Sequence, residues 1–374
     1  MGGFFLSQGV ILCSNNYDGS PQIYFKKQKN LEELTMIENA IKKLTENNDL
    51  SFDETNKVID EIMSGKTSAI QIASFLTALS VKKETVAEIA GAASAMRSHA
   101  LTFQADEPVL EIVGTGGDHS NSFNISTTSA LVVAASGIPV AKHGNRAASS
   151  KSGAADVLES LGVKIQLDPK ESEAILNKIG ICFLFAQEYH KAMKYVAPVR
   201  SELGIRTLFN VLGPLANPAH ASQQVLGVYS EELVEPMAQV LQQIGVQDAA
   251  VIHGQDGFDE ASISDATTIM EIHQGEFTKY ELTPEQLGLP RANKSDIIGG
   301  TPEENAQITL DVLTGQLGPK RDVIILNSAI AIHTARPNID LPTAVKMATE
   351  TIDNGSALNR LQSFIKLTQA GVAA

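Results

Sequence analysis

The chain has 374 residues, 43% apolar and 19% charged, the balance of a folded protein able to bury a large core. Its net charge of −14 and pI near 5.0 argue against a broad nucleic-acid-binding or anionic-membrane surface, while leaving room for a local basic pocket. No apolar run approaches the ~20 residues of a membrane span, and the two cysteines, Cys13 and Cys182, make neither a disulfide framework nor a zinc spacing, which fits reduced thiols in a cytoplasmic protein.

At ~150 residues per domain the length predicts two domains. Residues 1–30 carry an apolar patch interrupted by Ser7, Gln8 and Gly9, without the positive start of a secretory signal. Leu6 stands where a myristoylation site needs Ser or Thr. This segment reads as a poorly structured extension or a strand annex. Helical periodicity begins near Leu31, with Leu34, Ile37, Ile41 and Leu44 on one face. Ser51 and Glu54 form a capping box for a helix through Ile62 that Gly65 closes. Two further helices follow, around residues 70–79 and 85–96, the last rich in alanine and glycine. Residues 31–105 thus predict a small helical domain, joined by part of 198–220. Residues 106–374 alternate β-rich and helical segments, the pattern of an α/β domain with a mostly parallel sheet.

Within that second domain, residues 111–153 read as strand, loop, helix, strand, loop. Strands are also expected over 163–167, 181–185, 224–229 and 249–253. Helices are expected over 154–161, 168–179, a stretch ending at Pro198, 203–212, 231–244, 306–313, 340–354 and 357–369. Residues 322–331 mix strand and helix character, and residues 265–300 predict strands and turns.

Three loops carry the chemistry. Ile112 and Val113 run into Gly114, Thr115, Gly116, Gly117 and Asp118, where glycines let backbone amides point at an anion. Alone, such a loop serves equally well as a tight turn, and it has neither a P-loop lysine nor dinucleotide spacing. Asn124, Ser126 and Thr127 open the next helix. Each alone is an ordinary cap, but together, just after a glycine loop, they suit a phosphate at a helix N-terminus. Lys142, His143, Gly144, Asn145 and Arg146 close a strand, followed by the small residues Ala147, Ala148, Ser149 and Ser150. A solvated charged turn is the plain alternative; a bulky anionic ligand is the functional one. Arg200 and Arg206 are each able to fork onto a carboxylate or to serve as ordinary surface charges. Asp259 and Glu260 follow a strand, and such carboxylates, with Asp118, suit Mg²⁺ bridged to phosphates. The residues alone therefore point to an α/β enzyme for a polyphosphate with Mg²⁺, and leave the reaction open.

The motifs GTGGD (114–118), NIST (124–127), KHGNR (142–146), APVR (197–200), GIRTLFNVLGPLANP (204–218) and FDE (258–260) resemble, in order and spacing, the anthranilate phosphoribosyltransferases of tryptophan biosynthesis. The resemblance runs from about residue 33 to the C-terminus. It implies a nucleoside phosphorylase/phosphoribosyltransferase-like fold, a helical domain beside a large α/β domain with the site between them. It implies transfer of phosphoribosyl from 5-phosphoribosyl 1-pyrophosphate (PRPP) to the amine of anthranilate, with two Mg²⁺ ions accompanying the pyrophosphate. Carried over residue by residue, it assigns PRPP to Gly114, Thr115, Gly116, Gly117, Asp118, Asn124, Ser126, Thr127, Lys142, His143, Gly144, Asn145 and Ser150. Anthranilate falls to Gly114, His143, Asn145, His190 and Arg200, with Arg200 on its carboxylate. Mg²⁺ falls to Ser126, Asp259 and Glu260. No certain general base is assigned, Asp118 and His143 being candidates. A homodimer through the helical domain is implied, with no nucleic-acid or membrane partner.

The sequence departs from this pattern in residues 1–30, at His119 where glycine is expected, and at Lys191 where proline is usual. A pyrimidine nucleoside phosphorylase shares the two-domain plan but uses inorganic phosphate, against which the Asp259–Glu260 pair argues. A non-catalytic nucleic-acid-binding relative is disfavoured by the net charge of −14.

Overall fold

A computed structural model describes residues 10–15, 21–26, 35–147 and 150–371. Strands β1 (Val10–Asn15) and β2 (Pro21–Lys26) pair antiparallel as a separate hairpin. Of the two readings of residues 1–30, an extension or a strand annex, the apolar and aromatic runs of these segments suit the strand annex. The start of the predicted first helix, Leu31 and Leu34, lies outside the described residues, as do Ala148 and Ser149.

Four helices follow: α1 (Met36–Thr45), α2 (Phe52–Met63), α3 (Ala69–Lys82) and α4 (Val86–Ser98). Each opens with a reciprocal capping box, Thr35 with Glu38, Ser51 with Glu54, Ser68 with Gln71 and Thr85 with Glu88. Two otherwise orphaned N–H groups are satisfied at every start.

The α/β part runs β3 (Leu110–Gly114), α5 (Ile125–Ala135), β4 (Val140–Gly144), α6 (Ala154–Ser160), α7 (Pro169–Ile179), β5 (Ile181–Phe185), α8 (Ala186–Tyr189), α9 (Ala197–Leu203), α10 (Phe209–Leu212), β6 (Gln223–Gly227) and α11 (Val234–Gln243). It continues with β7 (Asp248–Gly254), β8 (Thr267–His273), β9 (Glu276–Leu282), α12 (Pro302–Leu313), α13 (Pro319–Ala335), α14 (Leu341–Asp353) and α15 (Ser356–Ala370). The sheet order is β5-β4-β3-β6-β7-β8-β9. The first five are parallel, and β8 and β9 extend the sheet antiparallel. The chain winds outward from β3 to β5, then crosses back to lay β6 on the other side of β3. That reversal opens a crevice at the carboxyl ends of the strands, the usual ligand position in such sheets.

Both faces of the sheet are covered. On one, α5, α6 and α12–α15 bury Leu131, Val133, Ile325, Ile330 and Phe364. On the other, α1–α4, α11 and residues 196–216 share one apolar cluster with Leu226, Val251 and Ile272 of the strands. Arg97 of α4 fastens this second face: its Nε donates to Leu215 O at 2.6 Å and Nη1 to Ile244 O at 3.0 Å.

Several expectations need correction. Residues 163–167 form no ladder: Val163, Ile165 and Leu167 alternate into the core as extended chain, and Lys164 N–H donates to Thr368 Oγ1 rather than to a strand. Pro198 does not end a helix but stands in the first turn of α9, where its missing N–H costs nothing. Residues 203–212 are not one helix, because Gly204 turns left-handed (φ 63°) and a loop precedes α10. Residues 322–331 belong wholly to α13, whose apolar sequence comes from burial between the sheet, α5 and α14. Lys142 and His143 lie within the end of β4, 3% and 4% exposed, which rules out the plain alternative of a solvated turn.

Candidate active site

The crevice at the carboxyl ends of β3, β4, β6 and β7 holds two adjoining cavities. The first, about 410 Å³, is walled by the glycine loop after β3, the start of α5, the end of β4, and Asp259 and Glu260 after β7. Gly116 and Gly117 take left-handed conformations (φ 69° and 76°) that turn the loop tightly at the cleft. Gly116 N–H donates to Asp259 Oδ2 at 2.6 Å, and a Cβ at Gly114 would collide with the same carboxylate. His119 adopts φ 57°, so the residue standing where glycine was expected occupies a conformation that glycine takes without strain.

At the start of α5, Asn124 makes no capping bond from its side chain. That amide instead joins Ser152 and Asn305: Nδ2 donates to Ser152 O at 3.1 Å, and Oδ1 accepts from Asn305 Nδ2 at 2.9 Å. The first-turn amides are thereby left facing the cavity, with Ser126 N–H donating to Glu260 Oε1 at 3.2 Å. Thr127 is 2% exposed and its side chain is not in the cavity wall. Ser150 is in the wall and exposed.

Lys142 Nζ, buried, donates to Ile112 O at 2.7 Å and Ser126 Oγ at 3.2 Å. Burial lowers its pKa, against the pull of Glu111 and Glu260. Opposite stand the acids. Burial raises Asp259 well above the ordinary carboxylate range, and the charges of Asp118 and Glu260 add to it. Glu260 is pushed up to about 7, chiefly by burial, with Lys142 opposing. Asp118 Oδ2 is buried with no hydrogen-bond partner. Among the described residues no three acidic, His or Cys side chains converge as a ready metal shell.

The second cavity, about 700 Å³, lies between β4, α8–α10 and α4. Gly114, Thr115, His143, Gly144, Asn145 and Arg146 line both cavities, so the two meet along this seam. The His143 and His190 rings lie 5.0 Å apart, each with a buried, unpartnered Nε2. Burial holds His143 well below its ordinary pKa, helped by His190; it lowers His190 to about 4. Arg200 reaches the far wall, 5.6 Å over the Phe209 ring, with only a long 3.5 Å contact to Asn210 Oδ1.

The expected residues therefore gather in one crevice, apart from the Thr127 side chain. Sequence reasoning had weighed Arg206 without placing it. Its Nη2 donates to Gly117 O at 2.8 Å and its guanidinium stacks 4.2 Å over Tyr229, so it borders the first cavity. Tyr229 and Asn210 also line that cavity and went unnoticed. Only the long motif over 204–218 hinted at Asn210, and nothing in the sequence singled out Tyr229.

A helical bundle packed on a mostly parallel sheet, with an anion cradle at the strand ends, is the architecture of a glycosyl transferase family. The family's helical bundle domain matches residues 38–100 and its a/b domain residues 106–358. Within that family the chain belongs to the anthranilate phosphoribosyltransferases. The enzyme of that name from Lacticaseibacillus casei is 56% identical over 332 residues, 88% of this chain and 97% of the relative. The crystal structure from Thermus thermophilus is 42% identical with a TM-score of 0.84, matching 88% of this chain and 99% of that one. The Saccharomyces cerevisiae enzyme in complex with PRPP and Mg is 31% identical with a TM-score of 0.81, matching 89% and 98%.

Proposed function

We propose that the two cavities hold PRPP and anthranilate, and that the chain joins them into N-(5-phosphoribosyl)anthranilate with release of pyrophosphate. The observation that carries this reading is the shared seam. A cavity walled by a glycine loop, a helix start and the buried Lys142 abuts a pocket with aromatic walls that ends on an arginine, Arg200, unpaired with any carboxylate in its surroundings. A phosphorylated sugar and an aromatic acid fit the two halves.

The glycine loop, the first turn of α5 and Lys142 bind the phosphates. Asp259, Glu260 and Ser126 would hold Mg²⁺, and the residues present fit it: buried acids repel one another and Asp118 Oδ2 lacks a partner, so a hard cation relieves both. When bound, Mg²⁺ neutralises charge on the departing pyrophosphate. Two ions are part of this reading. The PRPP- and Mg-bound yeast relative supports it.

In the reaction the C1–O bond to pyrophosphate breaks as the anthranilate nitrogen bonds C1, and the nitrogen then loses a proton. Alignment carries most of the rate. An aniline nitrogen is nucleophilic when neutral, so a strong base is not required. Asp118 and the neutral His143 are the candidates to take the proton, both lining the first cavity. Arg200 orients the anthranilate carboxylate.

The reading also includes a cytoplasmic homodimer without nucleic-acid or membrane partners. In support, Ile70 and Val81 of α3 are 79% and 80% exposed, Val81 at a shallow depression that mixes Leu44, Ala73 and Ala78 with Thr45, Ser74 and Thr77. No described helix is long and apolar enough to cross a membrane. The decisive test follows anthranilate fluorescence with and without PRPP and Mg²⁺. Consumption only when both are present is the expected result; consumption without PRPP, or none at all, sinks the reading.

A further inference from the structure

Strands β3 and β4 are neighbours in the sheet, yet they pair at one position only, Leu110 with Val140. On their outer sides both strands are fully laddered, β3 to β6 over five residues and β4 to β5 over five. Continuing the parallel ladder would send Ile112 N–H to Ala141 O and His143 N–H to Ile112 O. Side chains have taken these places. Asn217 Nδ2 donates to Ala141 O at 2.7 Å. The Glu111 carboxylate accepts His143 N–H at 3.0 and 3.2 Å. Lys142 Nζ donates to Ile112 O at 2.7 Å. Asn217 also donates to Glu111 Oε2, and its own Oδ1 accepts Ala219 N–H at 2.8 Å. Glu111 and Asn217 are both fully buried, at 0% exposure, so these substitutions stand in place of water.

The consequence falls on β4. Successive residues of a strand point to opposite faces. Lys142 accordingly reaches Ser126 in the phosphate cavity, while His143 meets His190 beside the second cavity. The spacing of β4 from β3 thus sets the relation between the two halves of the crevice, and Glu111 with Asn217 sets that spacing.

We propose that Glu111, held by Asn217, is a positioning residue: it wedges β4 away from β3 and so aligns the two substrates. This rests on the phosphoribosyl-transfer reading above. Oε2 of Glu111 accepts from both Asn217 Nδ2 and His143 N–H, and Oε1 shares His143 N–H, so the wedge needs acceptors at both oxygens. The ionised form fits it, with Lys142 opposing the burial that pushes the pKa of Glu111 up to about 8. Glutamine has the same shape but offers one acceptor and a donor, which would face another donor. Aspartate is one methylene shorter but keeps both acceptors.

The test measures kcat and both KM values on purified Glu111→Gln, Glu111→Asp and Asn217→Ala, with the folded fraction of each determined by circular dichroism and used to normalise rates. If β4 is misaligned, kcat of Glu111→Gln falls at least about tenfold while each KM moves less than about threefold; a misplacement of ~1 Å suffices for more. Asn217→Ala should fall in the same manner, and Glu111→Asp should recover to within about threefold of the unsubstituted enzyme. A packing role predicts the opposite order, with the isosteric glutamine tolerated and the shorter aspartate damaged. Unchanged kcat in Glu111→Gln, a change confined to KM, or an aspartate variant as slow as the glutamine one would each overturn the proposal. An unsubstituted enzyme that fails to consume anthranilate would instead overturn the parent reading, and this one with it.

Discussion

Arg200 has burial on its side and no carboxylate opposite, so its guanidinium is available to a ligand acid. A charge-assisted hydrogen bond is worth roughly 1.5–3 kcal/mol, so Arg200→Ala should raise the anthranilate KM about 10- to 100-fold and leave the PRPP KM near its starting value. Steady-state kinetics with each substrate varied in turn decide this, and an unmoved anthranilate KM removes Arg200 from that site. Asp259 and Glu260 are tested differently. Replacing both, Asp259→Asn with Glu260→Gln, removes charge but little volume. Turnover at limiting Mg²⁺ should drop roughly 100-fold, with partial recovery as Mg²⁺ is raised. Full activity at low Mg²⁺ would refute the metal assignment.

At the scale of the elements, β4 and the turn after α8 bury two imidazoles against one another. His190 has its pKa lowered from 6.5 to about 4, chiefly by burial, so the folded protein keeps it neutral where the unfolded chain would already bind a proton. The sign follows: between about 6.5 and 4 the unfolded state holds more protons, so stability is intact above that window and is lost as pH falls through it. His143 acts in the same direction. The two histidines therefore pull denaturant midpoints down from pH 7 toward pH 4.5, while Asp259 and Glu260, whose pKa values burial raises, pull them the other way. His190→Gln, which cannot be protonated, should flatten part of that slope; a variant as acid-sensitive as the parent would show that other groups dominate.

For the whole molecule, the helical layer does not stand apart. It shares an apolar cluster with the sheet and with residues 196–216, and Arg97 ties α4 to both Leu215 and Ile244. What remains uncovered is the outer side of α3. If two copies meet there, light scattering should give twice the chain mass of 39.9 kDa, and Ile70→Glu with Val81→Glu should give single chains. Burying two carboxylates in an apolar contact costs several kcal/mol, enough to separate most non-obligate pairs. A variant that still runs as a dimer would move the interface elsewhere.

Helices with strong local punctuation were legible in the sequence. Ser51 with Glu54 marked α2, and Asp340 with Pro342 marked α14, because capping is a contact between residues a few positions apart. The glycine loop, the start of α5, and Asp259 with Glu260 were equally visible, since each is a short run with its own chemistry. Misreadings came where neighbours in space decided the outcome. The alternation of Val163, Ile165 and Leu167 predicts a strand, but the segment pairs with none of the described strands, and Lys164 N–H goes to Thr368 Oγ1 instead. The burial of Lys142 and His143 was not legible, because nothing local announces that Glu111, 32 residues before His143, and Ser126 will enclose them. The chain by itself thus determined its local elements and the types of group its loops carry, for these depend on sequence neighbours. Only the tertiary structure decided that two cavities share one seam and that side chains replace the ladder between β3 and β4. Those outcomes depend on groups such as Glu111 and Asn217, 106 positions apart, competing for the same backbone hydrogen bonds.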